Sequence, residues 1–267
     1  MSGVMQGATI AGRFFTLLPR ALTYVTAIGL IGEMVGLLRG RIVRERPTEV
    51  MRAVIAADIG MVGALVRDGS VDLTTINPQD NMTAFLYACR GGNVSIARLL
   101  YESAQPSPGD VQRALVLAAN RGHQEMVTWL VSCCKAVLSL PDDSGKNALM
   151  SASEGGHCNI IRSCIDAGVS TTAVNKKNKN ATALVYACAN GHMDAVKLLV
   201  SVRMMEAQKG PEEKMVVVCE MGMAFARATL NRHTQIATWL TEYCDKNFAQ
   251  EDQLLMTVWA LRSPEQS

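Results

Sequence analysis

The sequence predicts an all-α fold built from stacked two-helix units, and three observations point to it. All four histidines of the 267-residue chain stand in the same local pattern. Apolar residues recur at helical spacing after each of them, which is typical of one buried helix face. The chain is 49% hydrophobic but only 5% aromatic, and a core of Ala, Leu, Val and Met favours packed helices over a β-sandwich.

An internal repeat explains the histidines. Each copy has an anchor position, which histidine occupies in four copies, and an alanine stands at a constant distance before the anchor. An earlier copy fits the residues from Thr48 to Asp58. Repeats of this kind are a signature of solenoid proteins. The anchors are Asn93, His123, His157, His192 and His233, and the matching alanines are Ala88, Ala118, Ala152, Ala187 and Ala228.

Each copy is predicted to contain a short helix, a tight turn at the anchor and a second, amphipathic helix. The glycine before most anchors can adopt the left-handed conformation that ends a helix. The small alanine lets neighbouring helices approach closely. One such unit cannot bury its apolar stripe alone, so the units must stack.

Three stretches carry a resemblance to a known family. TALVYACANGHMDAVKLLV (residues 182–200), TAFLYACRGGNVSIARLL (83–100) and NALMSASEGGHCNIIRSCIDAG (147–168) resemble ankyrin repeats. The resemblance extends over about residues 47–245 and implies an ankyrin-repeat solenoid that binds proteins. It also implies that each anchor histidine lies at the start of the second helix and bonds locally to the backbone.

The copies depart from the family pattern in their spacing. The short interval between Asn93 and His123 predicts that a Pro-rich loop, residues 101–110, replaces the usual β-hairpin finger. The long interval before His233 contains a polar insertion, residues 207–214. The acid pair Glu212–Glu213 within it is predicted to lie in a loop.

Residues 1–46 lie outside the repeat and are hydrophobic and Arg-flanked. Their apolar stretch, residues 21–38, is near the minimum length for a membrane span but is interrupted by Glu33. Arginines follow it, which would place the repeats on the cytoplasmic or matrix side. The membrane-helix residues proposed from this stretch are Leu22, Ile28, Leu30, Ile31, Val35 and Leu37.

Three interpretations of this segment stay open. It is a membrane-inserted helix, an amphipathic helix that caps the first repeat, or a mitochondrial targeting segment, because the chain before Glu33 has Arg but no acid. At the other end, residues 246–267 are predicted to form a capping helix. Its apolar residues Leu254, Leu255, Val258 and Leu261 would cover the last repeat.

Candidate partner-binding residues lie on predicted finger tips, where the resemblance implies that ankyrin arrays contact partners. An ordinary solvated turn is the alternative for the basic cluster and for the acid pair. The candidates are Asp142, Asp143, Lys146, Lys176, Lys177 and Lys179.

No motif for catalysis or cofactor binding accompanies them. The chain has no phosphate-binding loop, no GxSxG and no HExxH. Its eight cysteines include no CxxC pair and no zinc spacing, which favours buried free thiols in a reducing compartment. The adjacent Cys133–Cys134 is the pair that a redox role would use. We therefore expect no catalytic residues, no cofactor and no metal.

The sequence favours a non-enzymatic scaffold. A net charge of +2 gives no argument for nucleic acid, and no small-molecule substrate is indicated. The main interpretation is an accessory subunit that is held at a membrane and binds other protein subunits. The location considered for it is the mitochondrial inner membrane, with the repeats on the matrix side. The alternative is a soluble cytosolic adaptor or effector whose first helix only caps the array. An enzyme hidden outside the repeats would have too little chain for a catalytic domain.

Overall fold

A computed structural model describes residues 48–69, 71–208 and 210–248 of the chain. Within these residues there are twelve helices and no extended strand, and Asn175 and Ala181 form an isolated antiparallel bridge. The all-α prediction is therefore confirmed for the described part of the chain.

Two compact units are distinguished. Of the described residues, Thr48 and residues 77–81 belong to the smaller unit. Its described part is Thr48 and a turn, in which the Asn77 side chain accepts from the Gln79 amide at 3.1 Å and the Asn81 amide donates to the Asn77 carbonyl at 2.8 Å. The larger unit, residues 49–76 and 82–267, contains the twelve described helices.

These helices form six pairs, which we number as repeats 1 to 6. The pairs are α1 Glu49–Ile55 and α2 Ile59–Asp68, α3 Ala84–Arg90 and α4 Val94–Ala104, α5 Pro108–Arg121 and α6 Gln124–Ser132, α7 Ala148–Gly155 and α8 Cys158–Asp166, α9 Ala183–Ala189 and α10 Met193–Ala207, and α11 Pro211–Leu230 and α12 Thr234–Asn247.

Side-chain caps set where the first helices begin. The Thr83 hydroxyl accepts from the Leu86 amide at 3.3 Å, and the Asn147 side chain accepts from the Met150 amide at 2.9 Å. Thr182 caps α9 in the same way. Each satisfies an amide that the helix leaves without an internal partner. The Thr or Asn at the start of repeats 2, 4 and 5 therefore has a local structural role.

The repeats stack through two rows of helices. The first helices pack consecutively from α1 through α3, α5, α7 and α9 to α11, and the second helices α2, α4, α6, α8 and α10 form the neighbouring row. At the last junction α10 also packs on α11. The alanines predicted to permit this approach, Ala88, Ala118, Ala152, Ala187 and Ala228, are all buried. The predicted register of the repeat agrees with the structure.

Two predicted irregular stretches are more helical than expected. Helix α4 continues to Ala104 and α5 begins at Pro108, so only residues 105–107 connect them and no Pro-rich loop of the predicted length forms. Proline suits the first turn of a helix, and the Ser107 hydroxyl accepts from the Asp110 amide at 3.1 Å. The predicted absence of a finger at this junction holds.

The polar insertion lengthens two helices. Helix α10 has 15 residues and α11 has 20. Glu212 and Glu213 lie in the first turn of α11, so their assignment to a loop is wrong. Pro211 and two acids are favourable at a helix N-terminus, where the first amides carry partial positive charge.

The two predicted terminal helices lie outside the described residues. This applies to the membrane-helix candidates Leu22, Ile28, Leu30, Ile31, Val35 and Leu37, and to the capping helix of residues 246–267 beyond Phe248. Among the described helices, none combines the length and the apolar character that a membrane crossing requires.

Replacing the buried Ala187 by leucine is expected to lower the free energy of unfolding by about 1–3 kcal/mol, because the larger side chain overpacks the contact between first helices. Urea denaturation followed by circular dichroism measures the change. Ala64→Leu, at an exposed position of α2, is the control. Equal midpoints for the two variants would contradict the assigned register.

Candidate functional site

The anchor histidines join neighbouring repeats. In repeats 3 to 6 the histidine Nε2 lies 2.9–3.0 Å from a backbone carbonyl of the preceding repeat. A carbonyl oxygen only accepts, so Nε2 carries the hydrogen. The ring bonds to the backbone as expected, but the acceptor is not local, because it belongs to the preceding repeat. The pairs are His123 with Arg90, His157 with Asn120, His192 with Glu154, and His233 with Ala189.

The glycine before the anchor makes room for the next ring. Gly122 has φ +80°, and a Cβ there would lie 2.5 Å from the His157 ring. Gly156 has φ +75°, and its Cβ would lie 2.5 Å from Nδ1 of His192. A side chain at either position would be strained by its backbone conformation and would also push the repeats apart. The Gly-His pattern therefore specifies a contact between repeats as well as a turn within one.

Removing the His192 ring by a change to alanine is expected to lower the free energy of unfolding by about 1–2 kcal/mol, since the Glu154 carbonyl loses its partner. Thermal denaturation detects the loss. Lys197→Ala, at an exposed position on the same helix, should leave the midpoint nearly unchanged. If the two variants had the same melting temperature, the bond from His192 would not be stabilising the contact between the repeats.

The predicted finger-tip residues come from two successive connections, which we call the fourth finger (residues 136–146) and the fifth finger (residues 170–180). The Asp142 carboxylate accepts from the Ser144 amide at 2.9 Å and from the Lys146 amide at 3.1 Å, so it holds its own turn. The ammonium group of Lys177 donates to the Asp143 carbonyl. This contact joins the two tips. Lys176 and Lys179 are exposed beside it on the fifth finger.

Lys146 points away from the tip and towards the first helices. Its ammonium group lies 2.7 Å from the Glu154 carboxylate and 5.3 Å from the centre of the Tyr186 ring. Asn120 donates to Glu154 at 2.9 Å, and Asn175 donates to the Tyr186 hydroxyl at 2.9 Å. We call these five residues the polar strip. The strip orders the surface where the fingers lie against the first helices of repeats 3 to 5.

A second charged cluster is buried between repeats 5 and 6. Arg203 on α10 donates through Nε to Glu220 on α11 at 2.5 Å, and both side chains are 3% exposed. Arg203 also contacts Glu206, and Thr182 donates to Glu220 at 2.5 Å. Burial raises the pKa of Glu220, while Arg203 and the Thr182 hydroxyl act in the opposite direction. This cluster fastens the long helix α11 to the array and has no surface of its own for a partner.

Comparison with protein families identifies the architecture. A family model described as ankyrin repeats in three copies matches residues 50–139, 102–175 and 167–252. These matches span well over half of the chain. The chain belongs to the ankyrin-repeat family.

Two nematode proteins share the ankyrin array. An ankyrin repeat and KH domain-containing protein of Caenorhabditis briggsae is 27% identical over 146 residues, which is 55% of this chain. The ankyrin repeat and KH domain-containing protein mask-1 of Caenorhabditis elegans is 30% identical over 137 residues, or 51% of this chain. The match covers only 5% of each relative. The similarity therefore concerns the ankyrin repeats and not the rest of these long proteins.

Sequence reasoning missed most of the polar strip. Asn120 and Glu154 occupy the same position in two ankyrin repeats, and Tyr186 shares another position with Tyr87. The alignment of repeats therefore contained a signal, since these positions hold polar or aromatic residues where the core pattern does not require an apolar one. The aligned repeats do not show that the Lys146 side chain turns away from the finger tip and towards Glu154.

Five of the array's cysteines are buried, while Cys158 and Cys219 are half-buried and Cys133 is exposed. Those in the described helices and loops are all free. Burial raises the pKa of Cys164 to about 12, and burial together with Cys133 raises that of Cys134 to about 11. A raised pKa keeps a thiol protonated, which disfavours nucleophilic chemistry. No group of three potential ligands suited to a metal ion occurs among the residues that the structure describes.

Proposed function

We propose that this ankyrin array is a non-enzymatic protein-docking adaptor whose binding surface includes the joined tips of the fourth and fifth fingers. The observation that carries the proposal is the contact between Lys177 and the Asp143 carbonyl, which fixes the two tips together beside the polar strip. An ordered surface binds with a smaller loss of conformational entropy than a mobile one. The finger cations Lys176 and Lys179 stay exposed in this arrangement.

The polar strip supports the same proposal. Its Lys146 and Glu154 already neutralise each other, so a partner that covers them buries a satisfied pair and not an isolated charge. Buried polar groups without partners are costly, whereas satisfied ones add specificity. In this proposal Asp142 and Lys146 shape the surface, while Asp143, Lys176, Lys177 and Lys179 meet the partner.

Affinity purification with the tagged full-length chain, followed by identification of co-purifying proteins, tests this function. Lys176→Glu reverses an exposed finger charge and is expected to reduce the recovery of the specific partner. Arg162→Glu reverses an exposed charge on α8, away from the fingers, and should leave recovery unchanged. The proposal would be contradicted if Lys176→Glu left the recovery of the partner unchanged, or if no protein were enriched over an untagged control.

Whether the protein acts at a membrane depends on residues 21–38, which lie outside the described part of the chain. The adaptor interpretation rests on the array alone and is the one we favour. The membrane-tethered accessory subunit, with its mitochondrial location, rests on residues 21–38 and stays a prediction. Carbonate extraction of membranes separates the two: the adaptor is released into the supernatant, whereas a membrane-inserted chain remains in the pellet.

A further inference from the structure

A cleft on repeats 1 to 3 lies apart from the finger tips. It has a volume of about 500 Å³, within the range of sites that hold a ligand side chain or a short segment. The end of α1 contributes Val54 and Ile55, and the ends of α3 and α5 contribute Arg90 and Arg121. Tyr87 completes one wall.

The cleft combines an apolar wall with cations. Ile55 is 58% exposed and gives the cleft an apolar side chain that a partner could cover. Val54 beneath it is buried. Arg90 and Arg121 are both exposed, and the described side chains that line the cleft include no carboxylate.

The fold positions the backbone of both arginines. His123 donates to the Arg90 carbonyl at 3.0 Å, and Arg90 contacts the Met82 sulfur at 3.6 Å. Arg121 ends α5 and has no ion-pair partner among the residues that the structure describes. The polar strip differs, because there Lys146 is neutralised by Glu154. The cleft therefore presents positive charge from Arg121, whereas the charge of Lys146 on the polar strip is already neutralised.

We propose that this cleft binds an acidic segment of a partner protein, in which an Asp or Glu lies next to a large apolar side chain. The carboxylate would receive paired hydrogen bonds from Arg121, because a guanidinium matches carboxylate geometry, and Arg90 would add positive charge nearby. The apolar side chain would cover Ile55. This assignment rests on the proposed docking function and names the chemistry of its partner.

A protein segment fits the cleft better than a nucleic acid. Proteins that bind single strands combine a basic groove that follows the backbone with exposed aromatic platforms. Here the positive charge is confined to two arginines, and Tyr87 is half-buried. The adjoining polar strip is charge-balanced, so it offers no continuation for a phosphate backbone.

Selection of a random peptide display library on the immobilised full-length chain tests the proposal. Enriched peptides are synthesised with a fluorescein label, and their dissociation constants are measured by anisotropy. Peptides with an acidic residue beside a large apolar one are expected to be enriched. Arg121→Glu is expected to weaken their binding by about tenfold or more, the loss typical of one charged hydrogen-bonded pair.

Controls separate the cleft from general charge and folding effects. Arg162→Glu makes the same charge change elsewhere and should leave binding intact, and Arg121→Gln covers the case in which the reversed charge disturbs folding. A peptide with Lys in place of its acid should regain affinity for Arg121→Glu.

The contrary outcomes are equally specific. The assignment would be overturned if no peptide were enriched, or if the enriched peptides had no acidic residue. It would also be overturned if neither Arg90→Glu nor Arg121→Glu changed the dissociation constants. So would a fluorescein-labelled uridine oligonucleotide that binds the wild type and loses affinity in Arg121→Glu. None of these results bears on the proposed docking at the finger tips, which the affinity purification with Lys176→Glu tests separately.

Discussion

Replacing Glu220 by alanine is expected to lower the free energy of unfolding by about 3–5 kcal/mol, because the change strands a buried cation. Arg203 is 3% exposed and its Nε donates to Glu220 at 2.5 Å. Its Nη2 atom already has no partner. Without the Glu220 carboxylate, Arg203 keeps only Glu206 as a charged neighbour. Urea denaturation monitored by circular dichroism measures the loss.

Three further variants identify the cause. Glu212→Ala removes an exposed acid from the first turn of the same helix, and it should cost no more than about 1 kcal/mol. Glu220→Gln keeps a hydrogen-bonding group and should fall between the two. The double change Arg203→Met with Glu220→Leu should recover much of the loss, since no buried charge is left alone. A Glu220→Ala variant as stable as Glu212→Ala would refute the role of the pair.

Replacing Gly155 by alanine is expected to destabilise the array by about 3 kcal/mol, at the upper end of overpacking effects. An added Cβ would lie 2.2 Å from the backbone oxygen of Asn120 and 2.6 Å from the His157 ring. The Asn120 oxygen cannot rotate away, because it belongs to helix α5 and accepts from His157 at 2.9 Å. Relief of the clash requires repeats 3 and 4 to separate.

Gly109 offers a matched control for this substitution. An added Cβ there meets only the Ser107 hydroxyl, at 3.7 Å. Gly109→Ala should therefore be neutral or stabilise by up to about 1 kcal/mol, since it restricts the unfolded chain. Calorimetric melting of both variants gives the comparison. If Gly155→Ala melted at or above the temperature of Gly109→Ala, the close approach of the repeats would be disproved.

The architecture could be predicted because its determinants are local and repeated. Each short helix needs an apolar pair, a small residue such as Ala187 and a turn, and all of these lie within one copy of the pattern. The core then follows from stacking alone. The junction at residues 105–107 was harder to predict. Its composition indicated that the junction is altered, but proline is common both in loops and in the first turn of a helix.

The polar contacts could not be predicted, because each joins residues from different copies. Glu220 lies in a run that a sequence pattern assigns to an amphipathic helix, and a charged residue there is expected to face water. Only the packing of α10 on α11 brings it to Arg203. The same holds for the candidate tips: the pattern placed Asp143 and Lys177 in separate turns, and the stacking distance decides that they touch.

The histidine contacts give the array a direction. Each ring reaches backwards to an oxygen in the repeat before it, as His233 does to Ala189 and His192 does to Glu154. Loss of the final repeat uncovers a backbone oxygen, whereas loss of an earlier repeat uncovers the imidazole N–H of the following one, and water can bond to either group. The two ends of the array therefore differ under truncation in the group they expose: a neutral acceptor at the carboxyl side, and an imidazole that can take up a proton at the amino side.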